Sequence, residues 1–189
     1  FFRPVWATPR IVIHPSWIPV ETEGEQVSIV IDPKMAFGTG GHESTQLCVQ
    51  AIDRFLRPQS RCLDLGAGSG ILSIAAALLG AESVLAVDVD EVAVHNAREN
   101  LGRNAIAPER VEVRLGSLDA VGEGPFDMVL ANIQSHILRP LLQPICHLLG
   151  PEGTVVFSGL LVREAPDFCA WVADAGLQVE TTIEKGEWI

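Results

Sequence analysis

Glycines alternate along Leu63-Asp64-Leu65-Gly66-Ala67-Gly68-Ser69-Gly70, between a short apolar run and a longer one. Glycine lets a backbone turn sharply and lets a ligand approach where a Cβ would collide, and a helix that follows offers unpaired N–H groups to a negative group. Three alternating glycines behind an acidic residue exceed what a plain strand-to-helix turn needs, so the run points to a nucleoside-containing ligand. Asp88 ends the next apolar run. There its two carboxylate oxygens can accept both hydroxyl hydrogens of a ribose. Asp90 is the better placed cap for the following helix, which leaves Asp88 for another role. Asn132 closes a later apolar run, Met128-Val129-Leu130-Ala131. Its amide oxygen can accept from an amine and orient the lone pair for attack, whereas a carboxylate would hold the unreactive ammonium more strongly. A nicotinamide dinucleotide fits less well, because the G-x-G-x-x-G pattern finds Ile71 where its last glycine would fall.

These residues need strands that end together at one edge. The pattern supplies strands at 61–65, 83–88, 111–115, 126–131 and 154–158, with helices at 69–79, 90–103 and 165–175. A Pro-interrupted helix is expected at 135–149 and a closing strand at 177–183. Runs such as Val84-Leu85-Ala86-Val87 suit strands covered on both faces, as in a parallel sheet with helices on each side. The expected fold is therefore α/β, a Rossmann-like, doubly wound, mostly parallel sheet. Residues 1–45 read as a leading segment with short extended stretches at 10–14 and 27–31 and a Gly-rich loop, and residues 46–189 as the ligand-binding domain. Leu47, Ala51, Ile52, Phe55 and Leu56 form one apolar helical face directly after the loop.

The chain has 189 residues, the scale of one large domain, with 48% apolar and 20% charged residues. That composition excludes an intrinsically disordered chain, and no apolar stretch reaches the roughly 20 residues of a membrane span. Lys and Arg number 13 against 24 Asp and Glu, a net charge of −11. A phosphate backbone meets a repulsive field, so direct nucleic-acid binding is disfavoured, while a basic protein partner is suited. Cys48, Cys62, Cys146 and Cys169 form no C-x-x-C pair and read as reduced residues of a cytoplasmic protein. No H-E-x-x-H or close Cys/His cluster supports a metal. His42 and His136 fall near the expected cleft, and His14, His95 and His147 at strand or helix-surface positions. Phe1 is not an initiator Met, and Lys185-Gly186-Glu187-Trp188-Ile189 stops where an apolar strand starts, so continuation at both ends is expected.

The D-x-G-x-G-x-G run with Val-Asp-Val-Asp resembles the first motif and acidic partner of class I S-adenosylmethionine-dependent methyltransferases. With Asp32 to Thr45, Ala131-Asn132-Ile133, Ser158-Gly159-Leu160 and Glu184 to Trp188, the chain resembles the PrmA-type methyltransferases of large-subunit ribosomal protein eleven over nearly its whole length. The stretch Ala36-Phe37-Gly38-Thr39-Gly40-Gly41-His42 is the most family-specific part. The resemblance implies S-adenosylmethionine as cofactor, with S-adenosylhomocysteine as product, and a basic ribosomal protein as substrate, methylated on lysine and N-terminal amines. It places cofactor contacts on Thr45, Gly66, Gly68, Asp88 and Asn132, a lid on Phe37 and Thr39, the catalytic amide on Asn132, and acceptor-pocket walls on Glu187 and Trp188. The chain departs from its relatives at Ala67, where Cys is common, at Glu43-Ser44, where Pro-Thr is usual, and at Gln134-Ser135-His136. Relatives also carry a separate N-terminal substrate-recognition domain ahead of this region. Rival expectations are a methyltransferase of another protein lysine or a small amine, a nicotinamide-dependent oxidoreductase, and a non-catalytic adenosyl-ligand module.

Overall fold

The computed structural model describes residues 3–32 and 41–189. Three short strands come first: β1 (Val5–Thr8), β2 (Ile11–His14) and β3 (Val27–Val30). They form a small sheet in that order, β1 antiparallel and β3 parallel to β2. Helix α1 (Glu43–Phe55) leads into an alternation of β4 (Arg61–Leu65), α2 (Ile71–Leu78), β5 (Ser83–Asp88), α3 (Glu91–Arg103) and β6 (Val111–Leu115). The second half holds β7 (Phe126–Asn132), α4 (Ser135–Leu138), α5 (Leu142–Leu148), β8 (Leu149–Ser158) and α6 (Ala165–Asp174). The main sheet runs β6-β5-β4-β7-β8, and every pair in it is parallel.

Alternation along the strands builds two cores, since successive side chains leave opposite faces. Cys62, Val84, Ala86, Met128 and Leu130 join one core with Val49 and Ile52 of α1, Ile74 of α2 and Ala97 of α3. Leu63, Leu85, Val87, Val129 and Ala131 join the other with Leu138, Leu142 and Ile145 of α4 and α5 and Phe168 and Val172 of α6. Helices on both faces of a parallel sheet give the doubly wound α/β fold that the apolar runs predict. The chain winds outward from β4, so β4, β5 and β7 end at the same carboxyl edge, where open α/β sheets bind ligands.

Several elements differ from expectation. The helix expected from Ser69 starts at Ile71, because Gly70 takes φ +79 as its N-cap. The Pro-interrupted helix breaks around Arg139–Leu141, a 3₁₀ turn, into α4 and α5. β8 begins at Leu149 rather than Thr154, because Leu149 pairs with Phe126 before a register shift between Phe126 and Met128. β1 was not expected. Residues 177–183 form no ladder: the segment is extended and mostly exposed, and it lines a groove of about 290 Å³ with Thr154–Phe157 of β8, α1 and α6. His14 holds the strand position expected of it, at the end of β2, and is buried there, its ring nitrogens 2.6 Å from Ser28 Oγ and 3.0 Å from the Pro15 carbonyl oxygen.

Candidate functional site

At the end of β4 the backbone enters three left-handed positions, Gly66 (φ +72), Gly68 (φ +54) and Gly70 (φ +79). Side chains resist that region, so the alternation of glycines is a demand of the turn itself. A Cβ on Gly66 would sit 2.8 Å from Cδ1 of Ile133, directly after β7. The turn is tied down from the neighbouring strand: Gly66 and Ala67 N–H both donate to the Val87 carbonyl, and Gly70 N–H donates to that of Ala67.

Asp88 closes the turn from the side. Its Oδ2 accepts from Gly68 N–H at 2.8 Å and its Oδ1 from Asp90 N–H at 3.0 Å. Asp90 caps α3 as its spacing predicts, accepting from Val92 N–H at 2.9 Å. Asp88 is thus not idle, yet each carboxylate oxygen retains a lone pair for a further donor. The acid that precedes the glycines, Asp64, is fully buried, and its Oδ2 accepts from Ser73 N–H at 3.0 Å and Ser73 Oγ at 2.6 Å. Burial pushes its carboxyl up to about 6 against the lowering effect of the Ser73 bonds, with the Asp88 charge adding to the rise. Its Oδ1 has no hydrogen-bond partner.

Asn132, the last residue of β7, faces α1. Its Nδ2 donates to Thr45 Oγ1 at 3.4 Å, and Thr45 is fully buried in the first turn of α1. Asn132 Oδ1 is buried and unpaired. A buried amide oxygen without a donor costs free energy and marks a place where a donor belongs. Gly159 keeps that oxygen clear, since a Cβ there would lie 2.9 Å from it.

The far end of the chain comes back to the same corner. Trp188 packs edge-on against His42, ring centroids 4.5 Å apart, and His42 caps α1 by accepting from Ser44 N–H. Lys185 Nζ donates to Gln46 Oε1 at 2.7 Å. Gly186 lies against the Glu43 carboxylate so closely that a Cβ would fall 2.5 Å from Oε2. Trp188 bridges Leu161 in an isolated antiparallel contact, and Ser158 Oγ donates to the Ile189 carbonyl. Glu187 is exposed and His136 is exposed.

Thr45, Gly66, Gly68, Asp88 and Asn132 therefore sit on elements that end at one edge, with Trp188 at the head of α1. Phe37 and Thr39 lie outside the described residues. Sequence reasoning singled out neither the Asp64–Ser73 pair nor the contacts of Lys185 and Gly186 with α1. A small polar residue nine positions after a buried acid was the available signal for the first; the second joins residues about 140 apart and had none. The groove beside β8 contains none of Gly66, Asp88 or Asn132 among its lining residues. Among the described residues no group of acidic, Cys and His side chains could hold a metal ion, and no helix is long and apolar enough to cross a membrane.

A sulfonium nucleoside fits these residues on two counts: a carboxylate with spare lone pairs at Asp88, and an unpaired amide oxygen at Asn132. A family model described as ribosomal protein L11 methyltransferase (PrmA) matches residues 1–189. The chain is 41% identical over 188 residues to the ribosomal protein L11 methyltransferase of Heliobacterium modesticaldum, and 39% identical over 189 to that of Symbiobacterium thermophilum. It is wholly covered by both matches but spans only 59% and 61% of those relatives' lengths. The solved ribosomal protein L11 methylase of Lactobacillus delbrueckii subsp. bulgaricus superposes with a TM-score of 0.90 at 33% identity, covering 98% of this chain and 94% of that one. A putative SAM-dependent methyltransferase from Streptococcus mutans shares the fold at a TM-score of 0.61 and 13% identity, over 75% of this chain and 41% of that one.

Proposed function

The chain belongs to the ribosomal protein L11 methyltransferase (PrmA) family, and we propose that it is the catalytic part of an S-adenosylmethionine-dependent protein N-methyltransferase acting on lysine side-chain and N-terminal amines of ribosomal protein L11. The observation that carries this reading is the unpaired, buried Oδ1 of Asn132, held beside Thr45 at the sheet edge that also bears the glycine turn. S-adenosylmethionine supplies an electrophilic methyl on a sulfonium, and the acceptor amine leaves methylated with S-adenosylhomocysteine as the other product.

In this reading residues 46–189 form the binding and catalytic domain, and residues 1–45 lead into it and contribute the lid and Thr45. Gly66 and Gly68 admit the ligand against bare backbone, and Asp88 accepts from its ribose hydroxyls. Thr45 and the first turn of α1 hold its carboxylate, the helix terminus contributing unpaired N–H groups. Phe37 and Thr39 are assigned to the lid on family resemblance alone.

Asn132 orients the acceptor. An amine attacks only when neutral, which at pH 7 costs roughly 4 to 5 kcal/mol for a lysine of ordinary pKa and about 1 kcal/mol for an α-amino group. The neutral amide oxygen of Asn132 accepts from the amine without favouring its ammonium, so the lone pair is free to align; rate is gained from proximity and orientation. Trp188 and Glu187 wall the acceptor's approach, Trp188 braced by His42. A net charge of −11 suits a basic ribosomal protein as partner and disfavours direct nucleic-acid binding. A ribosomal substrate places the enzyme in the cytoplasm.

The test is incubation with unmethylated protein L11 and S-adenosylmethionine, with methyl increments followed by mass spectrometry. Increments on L11 are expected. Binding of S-adenosylhomocysteine without any increment, in this chain and in a version with its natural flanking sequence, overturns the substrate.

A further inference from the structure

Asn100 touches two parts of the molecule that the chain keeps far apart. It is fully buried on α3, and its Nδ2 donates to the Ser69 carbonyl oxygen at 2.9 Å, inside the glycine turn. Its Oδ1 accepts from Asp32 N–H at 3.4 Å, just past the end of β3. One helical turn on, Asn104 binds Val30 of β3 and the main chain of α3: its Oδ1 accepts from Val30 N–H and its Nδ2 donates to the carbonyls of Val30 and Asn100, all at 2.8 Å. Asp32 is itself fixed, its carboxylate accepting from Ser16 N–H at 2.8 Å, Ser16 Oγ at 3.0 Å and Arg103 Nε at 2.7 Å.

A peptide unit is planar, so holding its carbonyl holds its N–H. The Ser69 carbonyl shares its plane with the Gly70 N–H, which closes the turn on Ala67 at 2.8 Å. Gly70 has no room to drift, because a Cβ there would meet Ala97 of the same helix as Asn100 at 3.1 Å. Asn100 is thus the side chain that fixes the plane at which the turn becomes α2.

Building on the reading of that turn as the cofactor site, we propose that Asn100 is a positioning residue for the cofactor, setting the Ser69–Gly70 peptide through its Nδ2 and coupling it through its Oδ1 to the seating of the N-terminal sheet. Asn104, the C-cap of α3, reaches Val30 and the Asn100 carbonyl through its side chain but makes no bond to the glycine turn, and has no share in this role. The pair therefore supplies its own control.

The experiment measures S-adenosylhomocysteine affinity by calorimetry, and melting temperature, for the wild type, Asn100→Asp and Asn104→Ala. Asn100→Asp keeps an acceptor for Asp32 N–H but loses the donor to Ser69. We expect it to weaken affinity about tenfold or more, while Asn104→Ala lowers the melting temperature yet stays within twofold of wild-type affinity. Asn100→Asp binding within twofold of wild type overturns the proposal, as does an equal loss of affinity in Asn104→Ala. Asn100→Ser, which is too short to reach Ser69, carries the same two outcomes if the aspartate variant does not fold. A wild type that binds no S-adenosylhomocysteine overturns the cofactor reading itself, so the two failures are told apart.

Discussion

Asp88 accepts a hydrogen bond from the backbone N–H of Gly68 across 2.8 Å, joining the end of β5 to the middle of the turn that follows β4. The carboxylate proposed for the ribose also props the glycine loop proposed to carry the rest of the cofactor. Removing it unsettles both at once, and Asp88→Ala is expected to weaken S-adenosylhomocysteine binding by at least tenfold, from charged hydrogen bonds worth about 1.5 to 3 kcal/mol. Calorimetric titration showing unchanged affinity would remove Asp88 from the site.

Asn132→Ala deletes the unpaired amide oxygen and, with it, the Nδ2 donor to Thr45 Oγ1. Turnover on protein L11 is expected to fall on the order of a hundredfold, with a much smaller change in cofactor affinity. Single-turnover kinetics alongside calorimetry separates the two. Unchanged turnover with unchanged affinity means that Asn132 does not orient the acceptor.

Gly66→Ala meets two penalties, a left-handed φ of +72 and a contact of 2.8 Å with Ile133 Cδ1. A loss of about 1 to 3 kcal/mol is expected in urea melts. Combining it with Ile133→Ala should recover the steric part and leave the backbone part. Full recovery in the double variant would show that the left-handed strain is negligible.

Asp64 gives the protein a slope in pH. Its carboxyl is pushed up to about 6 by burial, from an ordinary value of 3.8, so between those pH values the folded state binds more protons than the unfolded one. Stability therefore falls as pH rises from about 4 to 6 and is level above, the charged buried form costing roughly 3 kcal/mol at neutral pH. Asp64→Asn keeps an acceptor for Ser73 and should abolish this contribution. Parallel pH–stability curves for the two proteins would refute it.

The thiols divide into two classes. Cys48 and Cys62 are buried, and burial pushes each up to about 12, whereas Cys146 and Cys169 are partly exposed. Native protein at pH 8 is expected to react with a bulky disulfide reagent at Cys146 and Cys169 first, and at the other two only on unfolding. Peptide mapping of the modified protein distinguishes this from four equal sites.

Much of the frame was legible because local physics decided it. β4 and β5 fall where the apolar runs place them, since strands covered on both faces must be apolar throughout. The ends of helices were less legible: Gly70 delays α2 by two residues, and Pro140 sits in the 3₁₀ turn that divides the expected long helix. Residues 177–183 have a strand's composition but form no ladder with the open edge of β8, from which a groove lined by both separates them, and a ladder is a property of two segments. Likewise Asp88, Asn132 and the glycine turn stand out in the sequence by type and spacing. Asn100 does not, because its significance lies in Ser69 and Asp32, 31 and 68 residues away.

β8 has a paired neighbour on one side only among the described residues, and its other side borders the groove that residues 177–183 line. An open strand edge beside apolar surface is a template for main-chain pairing between molecules. Exposed Glu180 on the segment that lines the groove, and exposed Glu184 just beyond it, put like charge in the way of an approaching copy. Acidification or high salt dulls that repulsion and lets copies approach this rim more closely, away from the glycine turn and Asn132.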